Sequence, residues 1–108
     1  MSHYLLIESR DPFESKGFSQ RCELALALIA ESASVTLFLV ENAVLGTRVT
    51  AKVRELEKLA KAGVKVRADA FALRERGIDA RQISAAVEPA ELDALIAHFA
   101  DGAKTLWN

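Results

Sequence analysis

The run Val35–Val40 constrains the fold of this chain more than any other segment. Its six consecutive β-forming residues carry no charge, which predicts a central strand buried on both faces. Tyr4–Ile7 is a second continuous apolar run and predicts a strand of the same kind. Strands that are apolar on both faces are typical of parallel sheets covered by helices.

Helical periodicity follows each of these two strands. The first predicted helix begins at Phe18 and has an apolar face at helical spacing, which is made of Phe18, Cys22, Ala25, Leu26 and Ile29. After a loop over Asn42–Gly46, a second helix is predicted by the spacing of Val49, Val53, Leu56 and Ala60. Gly63 stands where a C-terminal cap of that helix belongs.

The second half of the chain continues the alternation of strands and helices. Val64–Ala68 alternates between apolar and charged residues, which predicts a strand with one less covered face, and a short helix is expected from Ala70 to Arg76. Ile83–Val87 is a weaker strand prediction. Pro89 is expected to open the last helix, because proline is favoured at the first helical position. The inner face of that helix would be Leu92, Leu95, Ile96 and Phe99.

Lys104–Trp107 predicts a terminal strand, with Trp107 buried in the sheet or in a subunit contact. Strands that alternate with helices over short loops predict an α/β fold. We expect one domain over residues 1–108, a three-layer sandwich with a mainly parallel sheet of about five strands and helices on both faces.

The composition excludes several classes of function. A net charge of −1 gives no general attraction to nucleic acid or to an anionic membrane, and no segment approaches the roughly 18 apolar residues of a membrane span. The single cysteine cannot form an internal disulfide, which suits a reducing cytoplasm. The five glycines are isolated, so neither glycine-rich phosphate-binding motif occurs, and no cofactor is predicted.

The segment from Val64 to Ile78, V-K-V-R-A-D-A-F-A-L-R-E-R-G-I, resembles one segment of the DsrE/DsrF-like sulfur-relay family. That family segment usually reads Val-x-Val-x-Ala-Cys, three further residues, then Leu-x-x-Arg-Gly-Ile. Leu73 and Arg76-Gly77-Ile78 agree with it. The family cysteine, which carries sulfur as a persulfide, falls eight residues before the glycine, and Asp69 stands there in this chain.

The resemblance implies a family that passes persulfide sulfur between proteins in sulfur oxidation or tRNA thiolation. It also implies a trimer or hexamer of identical subunits, or a hetero-oligomer with related subunits, and a possible sulfur-carrier protein as partner. Because a carboxylate cannot hold a sulfane sulfur, the substitution at Asp69 indicates a non-catalytic or divergent subunit. Whether the chain is an enzyme stays open.

Asp69 is the first candidate for chemistry, since it follows a strand and precedes a helix. Ligands bind at this edge of open α/β sheets, and Arg10 and Asn42 could join Asp69 across a crevice there. Asp69 is equally a favoured N-cap, an interaction that stabilises a helix by about 1 kcal/mol relative to alanine. Both interpretations stay open, with the cap preferred.

Cys22 is the only thiol, so a divergent sulfurtransferase would have to use it. Its place on the apolar helix face predicts an inert, buried thiol instead. No metal site is predicted. Glu41, Asp69 and Glu88 fall near strand ends but are explained by caps and loop ends, and His3 and His98 are few and far apart in the sequence. His98 is expected to face solvent.

Overall fold

Five strands alternate with helices in the computed structural model, which describes residues 2–31 and 33–107. The strands are β1 (His3–Glu8), β2 (Ser34–Leu39), β3 (Lys65–Asp69), β4 (Val87–Ala90) and β5 (Lys104–Trp107). The helices are α1 (Lys16–Ala30), α2 (Glu55–Lys61), α3 (Ala70–Glu75) and α4 (Leu92–Ala100). Three short 3-10 helices span Glu41–Thr47, Val49–Ala51 and Ala80–Gln82.

All the strand pairs are parallel, and the strands lie in the order β4-β3-β2-β1-β5. Helices α1, α2 and α3 contribute buried side chains to one core on the first face of the sheet. Helix α4 covers the second face, where Leu95 packs against Leu5, Ile7 and Phe38. The predicted α/β sandwich with a parallel sheet and helices on both faces is therefore confirmed.

The first helix has the predicted apolar face. Ser15 caps α1 by accepting a hydrogen bond from the Gly17 N–H at 3.1 Å, which satisfies one of the free donors of the first turn. Phe18, Cys22 and Ala25 are buried, as the spacing predicts.

The second helix begins later than its spacing predicts. Val49–Ala51 form a 3-10 helix instead, and Lys52 follows in the left-handed conformation, with φ +56°. An α-helix cannot continue through a left-handed residue, so α2 begins only at Glu55. The predicted loop Asn42–Gly46 is likewise part of a 3-10 helix.

The prediction for the fourth strand and the start of the last helix was wrong. Ile83 forms only an isolated antiparallel bridge with Arg48, and β4 begins at Val87. Pro89 lies inside β4 rather than at the start of α4. An edge strand tolerates proline because its missing N–H need not serve a second neighbour.

The apolar face of α4 is only partly buried. Leu95 is 5% exposed, whereas Leu92, Ile96 and Phe99 are 57%, 55% and 47% exposed. Trp107, predicted to be buried or in a subunit contact, is 61% exposed in the isolated chain. These four side chains are apolar, and the described chain covers only about half of each of them.

Candidate functional site

Asp69 is the last residue of β3 and the N-cap of α3. Its Oδ1 accepts a hydrogen bond from the Phe71 N–H at 3.3 Å. The extended backbone of Asp69, with φ −61° and ψ 115°, is the usual conformation of a cap. Asp69 thus lies at the carboxyl edge of the sheet, as predicted. One of its carboxylate oxygens accepts the hydrogen bond that caps α3.

Asn42 is bonded to the arginine of the Arg-Gly-Ile segment. Its Oδ1 accepts from Arg76 Nη2 at 2.9 Å and from Arg76 Nε at 3.3 Å, which ties the 3-10 helix after β2 to the end of α3. Gly77 ends α3 with φ +66°, a left-handed conformation that glycine adopts without the steric cost paid by other residues.

Arg10 is folded back onto the chain beside a buried acid. Glu8, the last residue of β1, is fully buried, and its Oε2 accepts from the backbone N–H groups of Ser9 and Arg10, both at 2.9 Å. Arg10 Nε lies 3.4 Å from the same oxygen. The Arg10 guanidinium also occupies the space that a Cβ would take at Gly17, so it packs on the first turn of α1.

The three ligand-binding candidates, Arg10, Asn42 and Asp69, each bond to a different neighbour. Strand β2 separates β1 from β3, so the strand ends that precede Arg10 and include Asp69 are about 10 Å apart. A cavity of about 490 Å³ lies elsewhere, beside α2 and the segment before β4. It is lined by Gly46, Arg48, Val49, Lys52, Val53, Glu57, Ala60, Lys61, Ser84, Ala85 and Ala86.

Sequence reasoning missed the buried charges beneath α1. Arg21 is only 9% exposed; burial lowers the pKa of its guanidinium, while the nearby Glu8 carboxylate opposes that change. Glu8 Oε1 and Arg21 Nε have no hydrogen-bond partner within residues 2–31 and 33–107. The spacing of Arg21, three residues after Phe18 and next to Cys22, is the signal that could have placed it on the buried side of α1.

Cys22 is part of α1, is 3% exposed, and lies on the side of α1 that faces α2. Burial raises the pKa of its thiol to about 12, and the charges of Glu55, Glu8 and Glu23 act in the same direction. The thiol is therefore protonated at neutral pH, whereas nucleophilic sulfur chemistry requires the thiolate. These are the properties expected of an inert cysteine.

The acidic and histidine side chains that the sequence analysis considered as metal ligands lie apart from one another, with one exception. Glu88 lies within β4 rather than beyond a strand end, and its carboxylate pairs with Arg67 on β3 at 3.7 Å. Across the described parts of the chain, no three metal-binding side chains come together. The exception is the histidines, because His3 Nε2 lies 3.0 Å from His98 Nδ1. The prediction that His98 faces solvent was wrong, since its ring is partly buried against β1.

Together these features define a small parallel α/β domain with a helix-capping aspartate, and no thiol, at the end of its third strand. Over the described residues, no helix has the length and apolar character needed to span a membrane. The chain belongs to the DsrE/DsrF-like family, whose model matches residues 2–107. This is a family related to sulfur relay.

Solved structures share the fold over nearly the whole chain. The YchN protein from E. coli is 24% identical over all of both chains, with a TM-score of 0.89. Proteins of unknown function from Methanobacterium thermoautotrophicum (MTH1491) and Bacteroides thetaiotaomicron (BT1422) are 14% and 15% identical, with TM-scores of 0.85 and 0.80. The former alignment covers all of both chains, and the latter covers 99% of this chain and 95% of the other. No curated protein sequence matches the chain significantly.

Proposed function

We propose that this protein is a DsrE-like subunit that does not itself carry sulfur, and that it works in an assembly associated with sulfur relay. The observation that carries the proposal is Asp69, which stands where the family segment has its cysteine and is committed to capping α3. A persulfide requires a thiol sulfur to form the sulfur–sulfur bond, and a carboxylate offers none.

The properties of Cys22 support the same proposal. A divergent sulfurtransferase would need an accessible thiol with a lowered pKa, such as one beside a cation or a helix N-terminus. Cys22 has the opposite properties, being 3% exposed with a pKa of about 12. The charges that act on its pKa are those of Glu55, Glu8 and Glu23, which disfavour a further negative charge on a thiolate or a persulfide.

A ligand-binding domain or enzyme built on Arg10, Asn42 and Asp69 has less support. Asn42 is held by Arg76, Arg10 packs against Glu8 and Gly17, and Asp69 caps α3. None of the three lines the cavity of about 490 Å³. A shared ligand would have to replace these contacts before it could engage the three side chains together.

The subunit role includes association with other chains. A subunit without its own sulfur-carrying group contributes by shaping an assembly or by docking a partner, so we propose a homo-oligomer or a hetero-oligomer with related subunits. The apolar side chains left uncovered on α4 and β5 support such association.

The test is intact-mass spectrometry after exposure to inorganic polysulfide. We compare the wild-type protein, Cys22→Ser, Asp69→Cys and the double variant Asp69→Cys/Cys22→Ser. The expected result is no one-sulfur adduct on the wild type and an adduct on both variants that carry Asp69→Cys, because the end of β3 then offers a thiol at a helix N-terminus. An adduct on the native wild type that is absent from Cys22→Ser would overturn the proposal.

A further inference from the structure

The cavity of about 490 Å³ lies between α2 and the segment before β4, and neither Asp69 nor Cys22 lines it. Its volume is within the range of about 300–1,000 Å³ that is typical of small-molecule sites. We call it the α2 cavity. A site there would be separate from the residues considered for sulfur chemistry.

Two segments that are distant in the sequence form one side of the α2 cavity, and backbone contacts hold them together. Arg48 forms an isolated antiparallel bridge with Ile83, and the Ser84 N–H donates to the Thr47 carbonyl oxygen at 2.7 Å. Thr47 is fully buried, and its hydroxyl donates to the Val44 carbonyl oxygen at 2.7 Å. This side of the cavity is therefore formed before any ligand binds, which reduces the conformational entropy that binding would cost.

The charged side chains around the α2 cavity are mostly cationic. Arg48, Lys52 and Lys61 line it, and Glu57 is the only acid among the described residues of the lining. Within residues 2–31 and 33–107, no ion pair involves any of these four side chains. Three positive charges and one negative charge leave the lining with a formal charge of +2, which favours an anionic ligand.

Two of the three cations are held in place by the chain. Arg48 Nε donates to the Leu45 carbonyl oxygen at 3.0 Å, which orients the guanidinium. This bond uses Nε only, so the two Nη groups remain as donors for a bound anion. Lys52 has a left-handed backbone with φ +56°, a conformation that is strained for a residue with a side chain. Strained backbone of this kind is concentrated at ligand-binding sites.

The rest of the lining is mainly small and apolar. Val53, Ala60 and Ala86 are partly buried, while Val49 is 61% exposed. A ligand that covered Val49 would remove apolar surface from water, which favours binding. The α2 cavity therefore suits a ligand that has an apolar body as well as negative charge.

We propose that the α2 cavity binds a phosphate monoester with a small apolar body. At neutral pH a phosphate monoester carries nearly two negative charges, which match the formal charge of +2 in the lining. Its terminal oxygens can accept from Arg48, Lys52 and Lys61. A carboxylate has a single charge and two oxygens, so it matches the lining less well.

The test titrates phenyl phosphate, inorganic phosphate and benzoate into the wild-type protein and follows the backbone amide signals by NMR. We expect saturable shifts of Lys52 and of residues 84–86 with phenyl phosphate. Inorganic phosphate lacks the apolar body and benzoate lacks the second charge, so each should bind about tenfold more weakly. Shifts that do not saturate, or a phenyl phosphate affinity no higher than that of the other two probes, would overturn the proposal.

Three variants on α2 have different expected effects on the dissociation constant for phenyl phosphate. Lys61→Gln removes a cation and should raise it about fivefold, whereas Glu57→Gln removes the acid and should lower it about fivefold. The matched control is Lys58→Gln, because Lys58 is on the same helix but lines the other cavity, beside Cys22. It should leave the dissociation constant unchanged, and circular dichroism checks that each variant is folded.

An unchanged dissociation constant in both Lys61→Gln and Glu57→Gln, or an equal rise in Lys58→Gln and Lys61→Gln, would overturn the α2 cavity as the site. Neither result affects the sulfur measurement. A persulfide on Cys22 would overturn the proposed function without affecting the α2 cavity.

Discussion

His3 and His98, the only two histidines of the chain, lie 95 positions apart and meet through ring nitrogens 3.0 Å apart. The other ring nitrogen of His3 is 2.9 Å from Ser34 Oγ, so the contact links α4 to β1 and β2. A hydrogen bond between two imidazoles needs one nitrogen with a proton and one without. If both imidazoles carried two protons, two N–H donors would face each other and this hydrogen bond would be lost.

This contact predicts that the protein loses stability as the pH falls through the histidine range. Burial lowers the pKa of His98, and the neighbouring His3, Lys65 and Arg67 act in the same direction, while Asp101 opposes them. The unfolded chain then binds more protons than the folded chain below about pH 7, so the free energy of unfolding decreases with acidification. Urea unfolding at a series of pH values measures this slope.

The variant His98→Asn identifies the source of the slope. Asparagine keeps a polar group near the position of Nδ1 but does not titrate, so the dependence on pH between about 7 and 5 should become shallower. If the free energy of unfolding of His98→Asn depends on pH as steeply as that of the wild type, other groups cause the slope. The exposed Asp93→Asn change on the same helix serves as the control, with the wild-type slope expected.

Asp69 should tolerate serine better than alanine. Serine keeps an oxygen that can accept from the Phe71 N–H, so Asp69→Ser should change the free energy of unfolding by less than about 1 kcal/mol, whereas Asp69→Ala removes the cap at a cost of about 1 kcal/mol. Chemical denaturation compares the two. Equal losses of stability in Asp69→Ser and Asp69→Ala would show that the capping hydrogen bond contributes little beyond the negative charge of Asp69.

Cys22 should react with a thiol reagent only when the chain opens. With 3% exposure and a pKa of about 12, the native thiol should react far more slowly than the same thiol in denaturant. Glu55→Gln removes one charge that raises the pKa, yet the reaction should stay slow because burial is the larger cause. The reaction is monitored by the absorbance of the group that the reagent releases. A fast reaction of the native protein would contradict the burial of Cys22.

Glu8→Gln should be strongly destabilising for a single-atom change. The carboxylate is fully buried, accepts two backbone hydrogen bonds and lies near the cations of Arg10 and Arg21. Removing the charge leaves the two guanidinium groups without this nearby carboxylate. The free energy of unfolding should therefore fall by about 3 kcal/mol. Thermal and urea unfolding measure the loss, and Glu14→Gln, at an exposed position, should cost nearly nothing. A loss below about 1 kcal/mol in Glu8→Gln would contradict the expected contribution of this side chain.

The sequence predicted the strands whose signals are purely local. Val35–Val40 and Tyr4–Ile7 are strongly apolar runs, and β2 and β1 lie at those positions. Each end of the two strands is one residue away from the predicted bound. Pro89 was misassigned because the same residue is tolerated at a helix start and in an edge strand, and only the strand order separates the two. The strand order depends on long-range packing, which no local pattern encodes.

The candidate site could be predicted only where its features depend on local sequence. The Asp69 position follows from the order of strand and helix, and its cap is local. The contacts of Asn42 with Arg76, and of His3 with His98, join residues 34 and 95 positions apart. The periodicity of α4 predicted an inner face of four residues, of which only Leu95 is buried, while Leu92, Ile96 and Phe99 are exposed. Periodicity identifies the apolar side of a helix but cannot tell how much of that side the sheet covers.

The placement of Pro89 on one edge and an open backbone on the other limits how far the sheet can grow. A sheet with two open edges can add copies at both ends and extend into a filament. Here, Pro89 closes the β4 edge, so strand addition can extend the sheet on the β5 side only. A sheet that can be extended on one side only cannot grow into a filament by repeated strand addition.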